Sequence, residues 1–193
     1  MLSFACVVLA AGAGTRFGAP KAAAMTPDGD TFAERITRTA REAGADPIIV
    51  VAPKAHTVPV GTRRVENADP GSDPVVSLRL GLAQLANTSV RGTLVWPVDC
   101  PFVKQETVAA LVEAAASRNP VIAVPSYGAR RGHPAWFARE IWTELMTVEH
   151  GGARAVVRRD EKRVLNVPVD DRSILADIDT QADLAEALAE WST

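Results

Sequence analysis

The 193-residue chain balances 21 Lys and Arg against 23 Asp and Glu, and a net charge of −2 implies no general polyanion-binding surface. With 47% hydrophobic and 23% charged residues it reads as an ordinary globular protein, one domain over residues 1–193 rather than two small ones. Cys6 and Cys100 are the only cysteines, both in apolar contexts beside expected strands, which excludes a disulfide framework or a multi-cysteine metal cluster and points to free thiols in a reducing compartment.

The apolar N-terminal stretch has no basic region before it and is broken by glycines and Arg16, so no signal peptide is expected. No apolar run approaches the length of a membrane span. The expected setting is the cytoplasm, with neither nucleic acid nor membrane as a partner. No repeat or low-complexity tract is present.

In chain order, "FACVVLA" (4–10) is a continuous β-rich run, as expected of a strand covered on both faces. "TFAERITRTAREAG" (31–44) sets Phe32, Ile36 and Ala40 on one helical stripe, with Arg35, Arg38 and Arg41 elsewhere and a glycine at its end. "DPIIVVAP" (46–53) is the next strand, and residues 57–75 form the longest expected irregular region. A helix is expected over 75–86, with Ser77 near its start, then a strand over 92–99 and a helix over 104–117. Residues 119–126, 153–160, 162–169 and 180–191 complete the chain as strand, helix, strand and helix. Such alternation predicts a three-layer α/β/α fold, a mostly parallel sheet sandwiched by helices with right-handed crossovers. Ligands bind such sheets at the carboxyl ends of the strands.

That rule directs attention to "VVLAAGAGTRFGAPK" (7–21), whose loop follows the first strand directly. Glycines at 12, 14 and 18 give the spacing G-x-G-x-x-x-G, not the dinucleotide fingerprint, and the second strand ends "VVAPK" without an acidic residue for a ribose. A P-loop is excluded too, since no glycine precedes Lys21 and no Ser or Thr follows it. What remains is a loop of small residues whose backbone N–H groups can approach a phosphate closely. Arg16 and Lys21 supply the positive charge for a triphosphate, one as a planar fork and one as a compact ammonium. The alternative is a tight glycine turn with two solvated cations.

In "LVWPVDCPFV" (94–103), Asp99 stands where an apolar strand ends, so its carboxylate is expected in the same crevice. Magnesium typically takes one or two carboxylates together with substrate phosphates. "LADIDTQADL" (175–184) holds a second candidate. There Thr180 resembles the N-cap of the last helix, Asp177 reads as a capping or turn residue, and Asp179 is compatible with capping or with metal binding.

"LAAGAGTRFGAPK" resembles the motif of the nucleotidyltransferases that include the molybdenum cofactor cytidylyltransferases and the molybdopterin guanylyltransferases. The similarity continues in order through "NADPGSDPVVSLRLGL", "PVDCPFV", "GARRGHPAWF", "GGARAVV" and "DIDTQADL", over essentially the whole chain. The resemblance implies a Rossmann-like α/β sandwich. It also implies that Leu9, Ala10, Ala11, Gly12, Ala13 and Gly14 hold the base and phosphates of a nucleoside triphosphate, with Arg16 and Lys21 neutralising the phosphates. Asp99 and Asp179 would hold Mg2+, and Asn67 and Ser77 match positions near the nucleotide, although Ser77 equally suits a helix N-terminus. Arg131 and His133 of "RRGHP" would lie on the acceptor side, His133 in a Gly-His-Pro turn that is more often structural than catalytic. Arg16, Lys21 and Asp99 are thus the expected catalytic residues.

The reaction implied is attack of the terminal phosphate of molybdopterin on the α-phosphate of CTP, with release of pyrophosphate. Leu9-Ala10-Ala11-Gly12 resembles the cytidylyl branch, whereas guanylyl-transferring relatives usually read Leu-Ala-Gly-Gly there. Phe17 in place of a methionine and "WPVDCP" in place of a Gly-Asp start depart from the family pattern and bear on the acceptor. Three alternatives stay open: GTP as the nucleotide, another phosphorylated acceptor such as a sugar or polyol phosphate, and a non-catalytic cofactor carrier or chaperone. A molybdoenzyme or its maturation chaperone is the expected recipient.

Overall fold

A computed structural model describes residues 2–12, 17, 21–69 and 72–191. The first strand, β1 (Phe4–Leu9), lies in the interior of the sheet and shows why its run is continuous rather than alternating. Phe4, Cys6 and Val8 enter one apolar cluster while Ala5 and Val7 enter another on the opposite face. The same two-way division recurs in β2 (Ile48–Ala52) and β4 (Gly92–Pro97).

Helices cover both faces. One cluster takes Phe32, Ile36 and Ala40 of α1 (Phe32–Glu42), Val108, Leu111 and Ala115 of α3 (Gln105–Arg118), and Ala187 of α6 (Gln181–Trp191). The other takes Val75, Leu78 and Leu82 of α2 (Pro74–Ala83), Trp142 and Leu145 of α4 (Trp142–Thr147), and Val156 of α5 (Gly152–Arg159). Local chemistry sets the helix starts. Thr31 and Glu34 form a reciprocal capping box on α1, and Asp73 caps α2 with proline in the first turn.

Two parts of the sheet depart from the expectation. Residues 57–75, expected to be irregular, contain β3 (Arg63–Glu66), an edge strand in which only Val65 is buried, so no apolar run announces it. The strands β6 (Arg130–Arg131) and β7 (Ala135–Ala138) were also not anticipated, being short and separated only by a turn. With β5 (Ile122–Tyr127) and β8 (Val164–Pro168) the order is β3-β2-β1-β4-β7-β5-β6, and β8 pairs with β5. The β1–β2, β1–β4, β2–β3 and β5–β8 pairs are parallel, whereas β7 runs antiparallel to β4 and β5, and β6 antiparallel to β5. The sheet is therefore mixed, with the antiparallel insertion confined to one half.

Register fixes the functional edge. Leu9 is level with Pro97 and Val51, and Ala52 with Glu66, so β1, β2, β3 and β4 end together. The chain leaves β1 toward β2 and β3 and then returns to β4 on the other side, which makes the β1–β4 boundary a topological switch point.

Candidate active site

The loops that follow β1 and β4 meet at that switch point. Ala10 donates its N–H to the Val51 carbonyl (2.8 Å) and Val98 donates to Leu9 (3.1 Å), so both loops leave the sheet under control of its last residues. Beyond β4, the fully buried Trp96 donates its indole N–H to the Cys100 carbonyl (2.9 Å), closing the turn that carries Asp99. From the far end of the chain, Ile178 donates its N–H to the Asp99 carbonyl (2.8 Å).

Lys21 stands between the carboxylates that this backbone pairing brings together. Its Nζ lies 3.4 Å from Asp99 Oδ2 and also pairs with Asp179 Oδ1. Convergence of the two aspartates, which strand and helix alternation only permits, is thus a property of the fold. Thr180 caps the last helix, its hydroxyl accepting from the Asp183 N–H (3.1 Å) while Asp183 accepts from the Thr180 N–H (2.7 Å). Hydrogen bonds donated to the Asp183 carboxylate, from the Thr180 side chain first and then from the Thr180 and Asp179 backbone, hold it below its ordinary range.

Asp177, read as a capping or turn residue, lies in the chain before α6, and its Oδ1 accepts from the Cys100 thiol at 3.4 Å. The Ile178–Asp99 bond holds this stretch against the loop that follows β4.

A buried carboxylate absent from the sequence reading supports this arrangement. Asp171 is 2% exposed and accepts from the Lys104 N–H, the Thr107 hydroxyl, and the Ser173 N–H and hydroxyl. It caps α3 from 67 residues away, because Lys104 contributes no side-chain cap of its own. Ser173 also donates to the Phe102 carbonyl, so residues 171–178 are latched to the loop that follows β4. A helix lacking a local cap is the only sequence signal for such a residue.

Asn67 and Ser77 meet each other. The Asn67 amide donates to Ser77 Oγ (2.9 Å) and Ser72 Oγ (3.0 Å), while its carbonyl accepts from the Asp69 N–H (3.0 Å). Both are buried, and Asn67 follows the end of β3 at the crevice edge. Ala10 and Ala11 are buried, and Gly12, next in sequence, is exposed. A Cβ at Gly12 would meet none of the described residues within 4 Å. Ala13, Gly14 and Arg16 lie outside the described residues.

On the other flank of the crevice, Gly132 approaches the Ile174 carbonyl so closely that a Cβ would lie 2.2 Å from its oxygen. His133 donates its N–H to that same carbonyl (2.9 Å). Arg131 donates to Asn166 Oδ1 (2.7 Å) and faces Glu161 at 3.6 Å. Burial lowers the His133 imidazole pKa, opposed by the Asp177 and Asp99 charges, and keeps the Cys100 thiol protonated well above its ordinary range.

The sequence profile of the MobA-like NTP transferase domain matches residues 6–164. The chain belongs to this family. A Mycobacterium avium protein named "Probable molybdenum cofactor guanylyltransferase" is 27% identical over 98% of this chain and 96% of its own length. The crystal structure of Rv0371c from Mycobacterium tuberculosis H37Rv superposes with a TM-score of 0.84 at 27% identity, covering 97% of this chain and 98% of that one. A second structure of Rv0371c, described as a complex with manganese, gives a TM-score of 0.75 at 27% identity, covering 97% and 98%. As a MobA-like protein the chain is a nucleotidyltransferase with a Rossmann-like α/β fold. Among the described residues, no helix is long and apolar enough to cross a membrane.

Proposed function

We propose that this MobA-like chain transfers a nucleotidyl group from a nucleoside triphosphate, CTP in the first instance, to the terminal phosphate of molybdopterin in the cytoplasm. The observation that carries the reading is the placement of Lys21 between Asp99 and Asp179 at the carboxyl-end crevice. Two carboxylates converging on one cationic group offer the hard oxygen donors that Mg2+ or Mn2+ selects, so the pair fits a divalent ion. Bound there, the ion would offset charge on the triphosphate and on the leaving pyrophosphate.

The chain's own residues bind and align. The backbone from Leu9 to Gly14 receives the nucleotide, Arg16 and Lys21 face its phosphates, and Asn67 with Ser77 shapes the rim of the crevice. Arg131 and His133 line the acceptor side. The acceptor phosphate oxygen forms a bond to the α-phosphorus as the bond from that phosphorus to the bridging β-phosphate oxygen breaks. An anionic nucleophile needs no general base, and the obstacle is repulsion between anions, which cations and alignment reduce.

Ala11 supports CTP, because its methyl group narrows the loop where guanylyl relatives usually carry glycine. GTP is the second reading, favoured by relatives such as the M. avium protein whose names specify a guanylyltransferase. The product would pass to a molybdoenzyme or its maturation chaperone. The test is pyrophosphate release with Mg2+ and molybdenum-loaded molybdopterin, comparing CTP, GTP, ATP and UTP. Release with CTP that disappears in Asp99→Ala is expected. Preference for GTP reassigns the base, and silence with all four nucleotides refutes the reaction.

A further inference from the structure

We infer that Cys100, His133 and Asp177 form a binding site for a borderline-soft divalent cation of the Zn2+ class, made of residues other than the Asp99 and Asp179 pair. One ligand atom from each of the three side chains lies within 4.8 Å of the other two. Thiolate, imidazole and carboxylate are the donor types of tetrahedral zinc sites, in which neighbouring donors stand about 3.5 Å apart. Closing to that spacing asks for a side-chain adjustment, which the exposed Asp177 can make at one corner.

One further observation points to a ligand, and two describe how the other corners of the site are placed. The His133 Nδ1 atom is buried and has no hydrogen-bond partner, although buried polar atoms are nearly always satisfied. The fully buried Cys100 sulfur lies 3.4 Å from Asp177 Oδ1 and 3.7 Å from Asp99 Oδ1, ordinary separations for a thiol hydrogen bond, so it already faces carboxylate oxygen. Asp177 also lines a cleft of about 240 Å³ with Arg130, Arg172, Asp183 and Glu186, so its corner of the site is open to solvent.

The donors come from three segments: the loop after β4, the turn between β6 and β7, and the chain before α6. Cys100 adjoins Asp99, and Asp177 is two residues from Asp179. A cation held here would tie together the loops that carry the Asp99 and Asp179 pair. Binding releases the thiol proton to solvent, and three protein donors leave a fourth position for water. Selectivity follows from donor type, since sulfur and nitrogen favour Zn2+ or Co2+ and the carboxylate pair favours Mg2+ or Mn2+.

Titration of the metal-free protein with Co2+, read by the thiolate-to-cobalt charge-transfer absorption in the near ultraviolet, tests the site. One equivalent is expected to bind, Zn2+ to displace it, excess Mg2+ to leave it in place, and the melting temperature to rise. Cys100→Ser should abolish the band, Cys6→Ser and Asp179→Asn should keep it, and His133→Gln should weaken Co2+ binding about tenfold or more. Circular dichroism establishes that each variant is folded. Absence of the band in the wild type, its persistence in Cys100→Ser, displacement by Mg2+, or its loss in folded Asp179→Asn would overturn the assignment.

Discussion

The Lys21 ammonium is paired with the Asp179 carboxylate across 158 positions of sequence. Such a contact places a cation of the segment after β1 where, in the proposed reaction, a divalent ion would share the same carboxylates. Lys21→Ala should therefore do two things. Turnover should fall about 10²-fold, by analogy with removal of one preorganised electrostatic group. Mn2+ affinity measured without nucleotide should rise, because the competing ammonium is gone. Near wild-type turnover of folded Lys21→Ala at saturating substrate would remove the lysine from the reaction.

Gly12 offers a way to separate fold from function. None of the described residues occupies the space a Cβ would take there. Gly12→Ala is expected to leave thermal stability unchanged while raising the KM for the nucleotide. An unaltered KM would mean that no phosphate approaches this backbone.

Gly132→Ala should behave in the opposite way. The added methyl group meets the Ile174 carbonyl oxygen at 2.2 Å, a backbone atom that cannot swing aside. Displacement of one segment should cost about 1–3 kcal/mol, measurable by urea denaturation. Stability equal to the wild type would show that the two segments are not held in contact.

Asp171 carries four hydrogen bonds in a buried position and caps α3 from a distant loop. Asp171→Ala leaves the Thr107 hydroxyl and the Lys104 N–H without their acceptor and should destabilise the protein by about 3 kcal/mol. Because the same loop leads to Asp179, kcat should fall as well even where the protein remains folded. A variant with full stability would refute the capping role.

Glu144 of α4 predicts a pH dependence. It accepts from Arg163 (2.8 and 3.2 Å) and Arg159 (2.9 Å), and the Arg163 bonds are the main cause of a carboxyl pKa held below its ordinary value. With the folded pKa depressed, this stabilisation is present above the unfolded value of about 4.3 and is lost as pH falls through the folded one. Glu144→Gln should cost up to about 1 kcal/mol at neutral pH and nothing in strong acid. Denaturant titrations at both pH values check this, and a deficit independent of pH would contradict it.

Periodicity and capping chemistry made much of the fold legible in the sequence, because those signals are local. The continuous run at 4–10 marked a strand buried on both faces, the stripe of Phe32, Ile36 and Ala40 marked α1, and Thr180 marked the start of the last helix. The loop after β1 and Asp99 after β4 could be placed at one edge by the general rule for α/β sheets. Short strands escaped for an equally local reason. Arg63–Glu66 buries one side chain, and Arg130–Arg131 is too short to carry a period.

Tertiary structure alone decided which distant side chains share a point. The meeting of Lys21, Asp99 and Asp179 depends on parallel register at the β1–β4 boundary and on the bond from Ile178 to the Asp99 carbonyl. Asp177 read as a capping or turn residue, a role local to its own segment, and only the fold shows that its carboxylate meets the Cys100 thiol and lies near His133. Residue types and local spacing determine which chemistry a segment can perform. Which segments perform it together is decided by long-range contacts, and these have no local signal because their partners lie tens of residues apart.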